Sequence, residues 1–321
     1  MLYLNDSHIR ELGIDWQMLI DIIKDVIRID DEGDCAFPLK PYLRFGDPGN
    51  RIIAMPAYVG GSFDLAGIKW IASFPLNHLH GLPRAHNTVI LNDTETGKPL
   101  ALLNSGMLSG LRTAAVSGVM LQAYTEARQP AGLKLGIIGW GPIGRFHLDM
   151  CAAVLGGKLK EVILHDLRGI DPETVPADLR DITVITDDWR DAYHHADVIA
   201  TCTVSPERYI DEAPGEGKLL LGVSLRDYIP ESVADIKTIV VDDWDEVCRE
   251  NTDVEQLHLR YGLQSSDVCT LGDVVCRGAL FRREAAGTVY FNPMGLAIFD
   301  IGVAGHYWRE AVKLGKGVKL P

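Results

Sequence analysis

The chain has 321 residues, 47% hydrophobic and 23% charged, a globular composition of a length that suits about two domains. Its 31 basic and 44 acidic residues leave a net charge of −13 with no Lys/Arg block, which argues against a general phosphate-backbone binder, so no nucleic-acid partner is expected. No apolar run approaches the roughly 18 residues of a membrane span, and Met1-Leu2-Tyr3-Leu4-Asn5-Asp6 lacks the basic start of a signal peptide. These features predict a cytoplasmic protein with no membrane partner.

In chain order, short β-rich runs come first: Arg51–Ala57, Ala66–Ser73, Thr88–Asn92 and Pro99–Asn104. The last two flank Asp93-Thr94-Glu95-Thr96-Gly97, whose polar residues and glycine suit a turn, so a hairpin in an antiparallel sheet is expected. From Leu108 to Tyr124 apolar and small residues follow a helical spacing without proline. Gln129-Pro130-Ala131-Gly132 reads as a linker. Six short β-rich runs then alternate with helical or loop stretches: Lys134–Gly139, Glu161–Asp166, Ile182–Thr186, Asp197–Thr203, Lys218–Val223 and Thr238–Asp242. Runs apolar on both faces belong in a parallel sheet covered by helices. A final helical stretch from Gly295 to about Leu314 returns to the first domain, because domain termini tend to lie together. The expected fold is α/β, a doubly wound Rossmann domain over residues 129–294 and an α+β domain over 1–128 and 295–321.

The run Leu135-Gly136-Ile137-Ile138 leads into Gly139-Trp140-Gly141-Pro142-Ile143-Gly144, and Arg145-Phe146-His147-Leu148 opens a helix. Glycines at this spacing permit a tight turn, close approach of a pyrophosphate and close helix–strand packing, while the helix start presents donors. Asp166 ends a second strand 22 residues beyond Gly144, where a carboxylate accepts from the adenosine ribose hydroxyls. That charge repels a 2′-phosphate and favours NAD over NADP, although Arg168 keeps the alternative open. Pro142 removes one backbone donor from the loop.

Several cations stand where charge is costly. Gly67-Ile68-Lys69-Trp70-Ile71 sets a lysine inside an apolar strand; it is either a structural ion pair or an amine with a lowered pKa. Arg112, among the small residues of Ser109-Gly110-Leu111-Arg112-Thr113-Ala114-Ala115, either grips a ligand carboxylate through two hydrogen bonds or fixes the helix start. Arg44 and Arg84 read on their own as surface arginines. His78, His80 and His86 fall in a Pro/Gly-marked loop with no acidic partner near in sequence, and the six scattered cysteines form no C-x-x-C. Neither set makes a metal site, and reduced thiols are expected.

Taken together, Met55-Pro56-Ala57-Tyr58, Gly67-Ile68-Lys69, Asn92-Asp93-Thr94-Glu95-Thr96-Gly97, Arg112-Thr113-Ala114-Ala115, the loop at 139–144 and Met294-Gly295-Leu296-Ala297 resemble the ornithine cyclodeaminase and mu-crystallin family over nearly the full chain. Within it, Lys40-Pro41-Tyr42-Leu43-Arg44, Arg51-Ile52-Ile53-Ala54-Met55-Pro56, Val240-Val241-Asp242-Asp243-Trp244 and Asn292-Pro293-Met294-Gly295 resemble the 2,3-diaminopropionate biosynthesis dehydrogenases that act on N-(2-amino-2-carboxyethyl)-L-glutamate, enzymes of siderophore or antibiotic precursor supply. The resemblance implies a homodimer whose α+β domain binds a small amino-acid-derived substrate and dimerises.

By the same resemblance Arg44, Lys69 and Arg112 match the carboxylate clamp, Lys69 lies near the reacting carbon, and Thr113, Thr203 and Ser224 match positions along the cofactor. Arg84 is a further candidate, because the implied substrate has three carboxylates. The cyclodeaminases carry Glu where this chain has Ile53 and a catalytic Asp where it has Ser224, which argues against ornithine cyclisation. The implied reaction is NAD-dependent oxidative hydrolysis to 2-oxoglutarate and L-2,3-diaminopropionate. The alternatives are an alanine dehydrogenase, a ketimine reductase, ornithine cyclodeaminase, or a mu-crystallin-like binding protein without turnover.

Overall fold

The computed structural model describes residues 1–321 apart from Pro48 and residues 283–286; the side chain of His78 also lies outside the described residues. The elements run β1 (Leu2–Asn5), α1 (Asp6–Leu12), α2 (Trp16–Asp31), β2 (Cys35–Ala36), β3 (Tyr42–Arg44), β4 (Arg51–Val59), β5 (Leu65–Ser73), β6 (Ala85–Asn92), β7 (Pro99–Asn104) and α3 (Gly106–Arg128). They continue with β8 (Leu133–Ile138), α4 (Pro142–Leu155), β9 (Leu159–His165), β10 (Thr183–Ile185), α5 (Trp189–His195), β11 (Val198–Thr201), β12 (Leu219–Leu221), α6 (Pro230–Val233) and β13 (Thr238–Val241). The chain ends with α7 (Trp244–Val247), α8 (Asp253–Tyr261), β14 (Cys269–Thr270), α9 (Leu271–Val275), β15 (Val289–Phe291), α10 (Ala297–Leu314) and β16 (Val318–Lys319). Among the described residues no helix is long and apolar enough to cross a membrane.

Two compact units result, Met1–Val116 with Gly295–Pro321, and Ser117–Met294. The division falls inside α3, whereas the sequence reading puts it after that helix at 128. A helix with apolar and small residues around its whole circumference carries no composition break to mark where one unit gives way to the next.

The first unit is built on a sheet of order β16-β1-β7-β6-β5-β4-β2, with β3 on β4. Its β4, β5, β6 and β7 pair antiparallel in sequence order, as the turn at 93–97 requires. The two N-terminal helices, for which as for β1 the sequence reading gives no element, start from side-chain caps: Asn5 accepts from His8 N–H and Asp15 from Met18 N–H. Alternation sorts this sheet into two faces. Met55, Lys69 and Val89 are paired across β4–β5–β6 and buried, and α10 lies against β4 and β5.

Helix α10 is buried on all sides from Ala297 to Gly305, as a sequence that is apolar but for Asp300 demands. Glycines let it come close. A Cβ on Gly67 would meet Ile301 Cδ1 at 2.8 Å, and one on Gly302 would meet Val26 Cγ2 at 2.7 Å.

The second unit holds an all-parallel sheet of order β10-β9-β8-β11-β12-β15-β13-β14. Strands β11, β12, β13 and β15 are buried at every residue, the signature of a sheet covered on both faces. The order reverses between β8 and β11, so the doubly wound expectation holds. Two strands lie outside the sequence reading: the two-residue edge strand β14, and β15, which enters between β12 and β13. The three residues of β15, Val289-Tyr290-Phe291, are too few to show a period.

Candidate active site

In the first unit, Lys69 Nζ lies 3.0 Å from Asp300 Oδ1, and Arg112 Nε lies 2.8 Å from that same oxygen. Lys69 also donates to Ser109 Oγ at 2.7 Å. The strand register delivers Lys69 to the buried face of β5, and Gly67, two residues earlier on that face, clears the room that lets α10 bring Asp300 to it. Ser109 and Arg112 stand one turn apart on α3.

Burial, which penalises the ammonium, brings Lys69 down to about 8; the Asp300 carboxylate opposes this, and Arg112 and Lys40 add to it. For Asp300 burial pushes upward, but Arg112 and Lys69 outweigh it and hold the carboxyl below its ordinary value. Asp300 is therefore an anion, and while Lys69 is protonated two buried cations share one buried carboxylate. A net positive charge at 1% and 7% exposed side chains favours an anionic guest.

Gly295 completes the surroundings. Its φ of +84° suits glycine, its carbonyl accepts from the buried Lys40 Nζ at 2.8 Å, and a Cβ there would collide with the Arg112 guanidinium. The Met294-Gly295 segment thus sets where Arg112 can lie.

The other proposed clamp residues are placed differently. Arg44 is exposed on β3, with its guanidinium 5.4 Å from the centre of the Tyr42 ring, and Arg84 is exposed in the loop before β6. Thr113 donates to the Ser109 carbonyl at 2.8 Å, one turn back on α3. Sequence reasoning missed Asp300, Ser109 and Lys40. The signal for Asp300 was present, an ionisable residue inside Ala297-Ile298-Phe299-Asp300-Ile301-Gly302, by the same criterion that singles out Lys69.

In the second unit the glycine loop joins β8 to α4. Gly139 has φ +104°, and a Cβ there would meet the Cys202 carbonyl at 2.7 Å; one on Gly144 would strike the Gly139 carbonyl. One on Gly141 would meet nothing within 4 Å, so the space over the middle of the loop is open to a ligand. Gly141 is the N-cap of α4 and Pro142 its first residue. The donor that proline lacks is one with no partner inside the helix, and the N–H groups of Ile143 and Gly144 remain at the positive helix start.

Asp166 follows β9 and braces the loop: Oδ2 accepts from Trp140 N–H at 2.8 Å, and Oδ1 from Arg168 N–H at 2.9 Å. Burial raises its pKa, but the bonds from Arg168 and Trp140 outweigh this and hold the carboxyl below its ordinary value. Oδ2 keeps a further lone pair for a ribose hydroxyl, while Oδ1 also accepts from Arg168 Nε. Arg168 contacts it at 3.4 Å through a side chain that is 78% exposed. These residues fit a dinucleotide.

Thr203 and Ser224 lie just beyond β11 and β12. Thr203 Oγ1 donates to Asp227 Oδ1 at 2.6 Å, and Ser224 Oγ donates to Asp227 Oδ2. Asp227, which the sequence reading passed over, is 1% exposed.

Three comparisons bear on this arrangement. The family model described as ornithine cyclodeaminase/mu-crystallin family matches residues 7–315. The N-((2S)-2-amino-2-carboxyethyl)-L-glutamate dehydrogenase of Staphylococcus aureus (strain NCTC 8325 / PS 47) is 32% identical over 342 aligned residues, covering 100% of this chain and 98% of its own. An archaeal alanine dehydrogenase dimer solved with bound NAD has a TM-score of 0.84 at 26% identity, covering 100% of this chain and 99% of its own. The Thermococcus litoralis Δ1-pyrroline-2-carboxylate reductase, solved with NADH and L-proline, shares the fold with a TM-score of 0.88 at 23% identity, over 100% of both chains.

Proposed function

The chain belongs to the ornithine cyclodeaminase/mu-crystallin family, and from that premise we propose that it is an NAD-dependent oxidoreductase that oxidatively hydrolyses N-(2-amino-2-carboxyethyl)-L-glutamate to 2-oxoglutarate and L-2,3-diaminopropionate. The observation that carries this reading is the sharing of one buried carboxylate, Asp300, by Lys69 and Arg112. That cluster has surplus positive charge for a substrate carboxylate, and it holds an amine of lowered pKa. The relative from Staphylococcus aureus, alike over the whole chain, supports the choice of substrate.

When bound, NAD supplies the hydride acceptor. The substrate loses hydride from the glutamyl α-carbon and a proton from its secondary amine, forming a C=N bond; water adds to that carbon, and the C–N bond breaks. Arg112 holds a carboxylate through the guanidinium nitrogens that Asp300 leaves, which fixes the α-carbon in place. Lys69, near its point of deprotonation at neutral pH, takes up the amine or water proton, and Ser109 and Asp300 orient its Nζ. Arg44 and Arg84 are exposed cations for the outer carboxylates. The glycine loop and Asp166 hold the pyrophosphate and the adenosine ribose, with Thr203 and Ser224 along the rest of the dinucleotide.

We also propose that the protein is a cytoplasmic homodimer. The sheet face opposite α10 presents Leu43, Ile52 and Ala72 in one cross-strand row and Ala54 and Trp70 in the next. Leu43 is 53% and Trp70 44% exposed, an apolar face of the kind that associates. Trp70→Glu should turn a dimer in sedimentation velocity into a monomer; a wild-type monomer overturns this part.

The deciding experiment follows reduced dinucleotide and 2-oxoglutarate after adding the conjugate and NAD. Equal formation of both supports the reading. Turnover of alanine, a cyclic imine or ornithine but not of the conjugate replaces it, and dinucleotide binding without turnover of any of them makes the protein a binder.

A further inference from the structure

A carboxylate buried at the carboxyl ends of two parallel strands governs the hydroxyls around it. Thr203 Oγ1 and Ser224 Oγ both donate to Asp227, and Thr201, whose Oγ1 lies 3.1 Å from Ser224 Oγ, joins the same cluster. An ionised carboxylate is an acceptor only, and a hydroxyl has a single hydrogen. Once Asp227 has taken those hydrogens, the half-buried Thr203, which already accepts from Ser205 N–H at 3.4 Å, and Ser224 can offer incoming groups only lone pairs. Their position is fixed by backbone: Ser224 N–H donates to the Thr201 carbonyl at 3.0 Å, and Thr203 N lies 3.0 Å from the point where a Cβ on Gly139 would stand.

The acceptor pair therefore adjoins the glycine loop, on the β11–β12 side of the place where the strand order reverses. Asp166 and the loop serve the adenosine side, and the second half of a doubly wound sheet takes the other mononucleotide. On that side NAD carries an N–H₂ group, the carboxamide of nicotinamide, and the hydroxyls of its ribose.

We propose that Asp227 is a positioning residue that makes Thr203 and Ser224 obligate acceptors, and that this pair recognises the N–H₂ of the nicotinamide carboxamide. The inference rests on the NAD reading above and adds a direction to it: the hydroxyls accept and the cofactor donates. The ring is thereby held with one edge toward β11 and β12. Burial pushes the Asp227 carboxyl above its ordinary value, against the bonds from Ser224, Thr203, Thr201 and Tyr209, so these hydroxyl donors favour its ionised form.

The test is equilibrium binding, by quenching of tryptophan fluorescence, of NAD, 3-acetylpyridine adenine dinucleotide and thionicotinamide adenine dinucleotide. The acetylpyridine analogue replaces N–H₂ by methyl and leaves the acceptors unpaired. The wild-type protein should bind it about tenfold more weakly than NAD, the scale of one unsatisfied buried polar group, while the thio analogue, which keeps the N–H₂, stays within about threefold. Asp227→Asn, which returns a donor to the cluster, and Thr203→Val, which leaves the buried carboxylate in place should the first variant fail to fold, should each bring the NAD-to-acetylpyridine ratio below about three.

An undiminished ratio in Thr203→Val or in folded Asp227→Asn overturns the proposal, as does a wild-type protein that binds NAD and the acetylpyridine analogue equally. Equal binding in the wild type that traces to the ribose hydroxyls would show as a loss with the 2′-deoxy nicotinamide riboside analogue instead, and also overturns it. A wild-type protein that binds no dinucleotide overturns the NAD reading itself, and this inference with it.

Discussion

The dinucleotide cradle takes its loop glycines and bracing carboxylate from residues 139 to 166, and backbone does most of its work: Gly139 and Gly144 admit close packing, the start of α4 offers N–H groups, and Asp166 is tied to Trp140 N–H. In the cation cluster of the first unit, Lys69 on β5, Ser109 and Arg112 on α3 and Asp300 on α10 come from segments far apart in sequence, and what meets is side chains. A site made of backbone tolerates side-chain change except where a Cβ would intrude. A site made of buried charges depends on every member, because removing one leaves another uncompensated.

The sharpest way to break that contrast is at Lys69. Lys69→Ala should lower turnover by about 10²–10⁴-fold, the scale of a proton-transfer group, while leaving dinucleotide affinity within about twofold, below one hydrogen bond. Stopped-flow turnover beside NAD titration measures both. Full turnover in that variant removes the proposed role.

Next comes Asp300→Asn, which leaves two buried cations facing an amide and should cost about 3 kcal/mol of stability, read from denaturant melts. The same variant sharpens the electrostatic argument. Lys69 is protonated below about 8 and neutral above it, so as a proton acceptor it gives a kcat/KM that rises with pH through that value. Asp300 holds the ammonium, so without it the rise should move to lower pH; an unmoved profile assigns the limb to another group.

On the cradle side the expected effects are smaller. Asp166→Ala should cut the preference for NAD over NADP by about tenfold, the worth of a charge-assisted hydrogen bond, and an unchanged ratio of dissociation constants shows that Asp166 does not read the ribose. Gly144→Ala should weaken NAD binding roughly fivefold, since a Cβ there strikes the Gly139 carbonyl and an overpacked contact costs about 1 kcal/mol or more. Unchanged affinity would mean that the loop does not need its close packing.

Much of this architecture was legible from local pattern. The alternating strands from Arg51 to Asn104, the long α3 and the βαβ start at β8 fall where periodicity and glycine spacing put them. Strand β15 did not, since three buried residues have no period, and neither did the division of the units inside α3. Within the sites, Lys69 was found because an ammonium in an apolar run is conspicuous, and Asp300 meets that same criterion on α10. Asp227 gave a weaker signal, because Ser224-Leu225-Arg226-Asp227 reads as an ordinary polar loop until the fold turns Thr203 toward it.

The sequence by itself determined the helix and strand periods, the glycine turn with its carboxylate after the next strand, and which charges stand among apolar residues. Those follow from the spacing of neighbours along one chain. Only the tertiary structure decided that Lys69 and Arg112 share a single oxygen of Asp300, that Gly295 limits the Arg112 guanidinium, and that Asp227 takes the hydrogens of two hydroxyls. A charge's partner is whichever group packing brings within about 3 Å, and packing is settled by contacts between distant segments that no local period records.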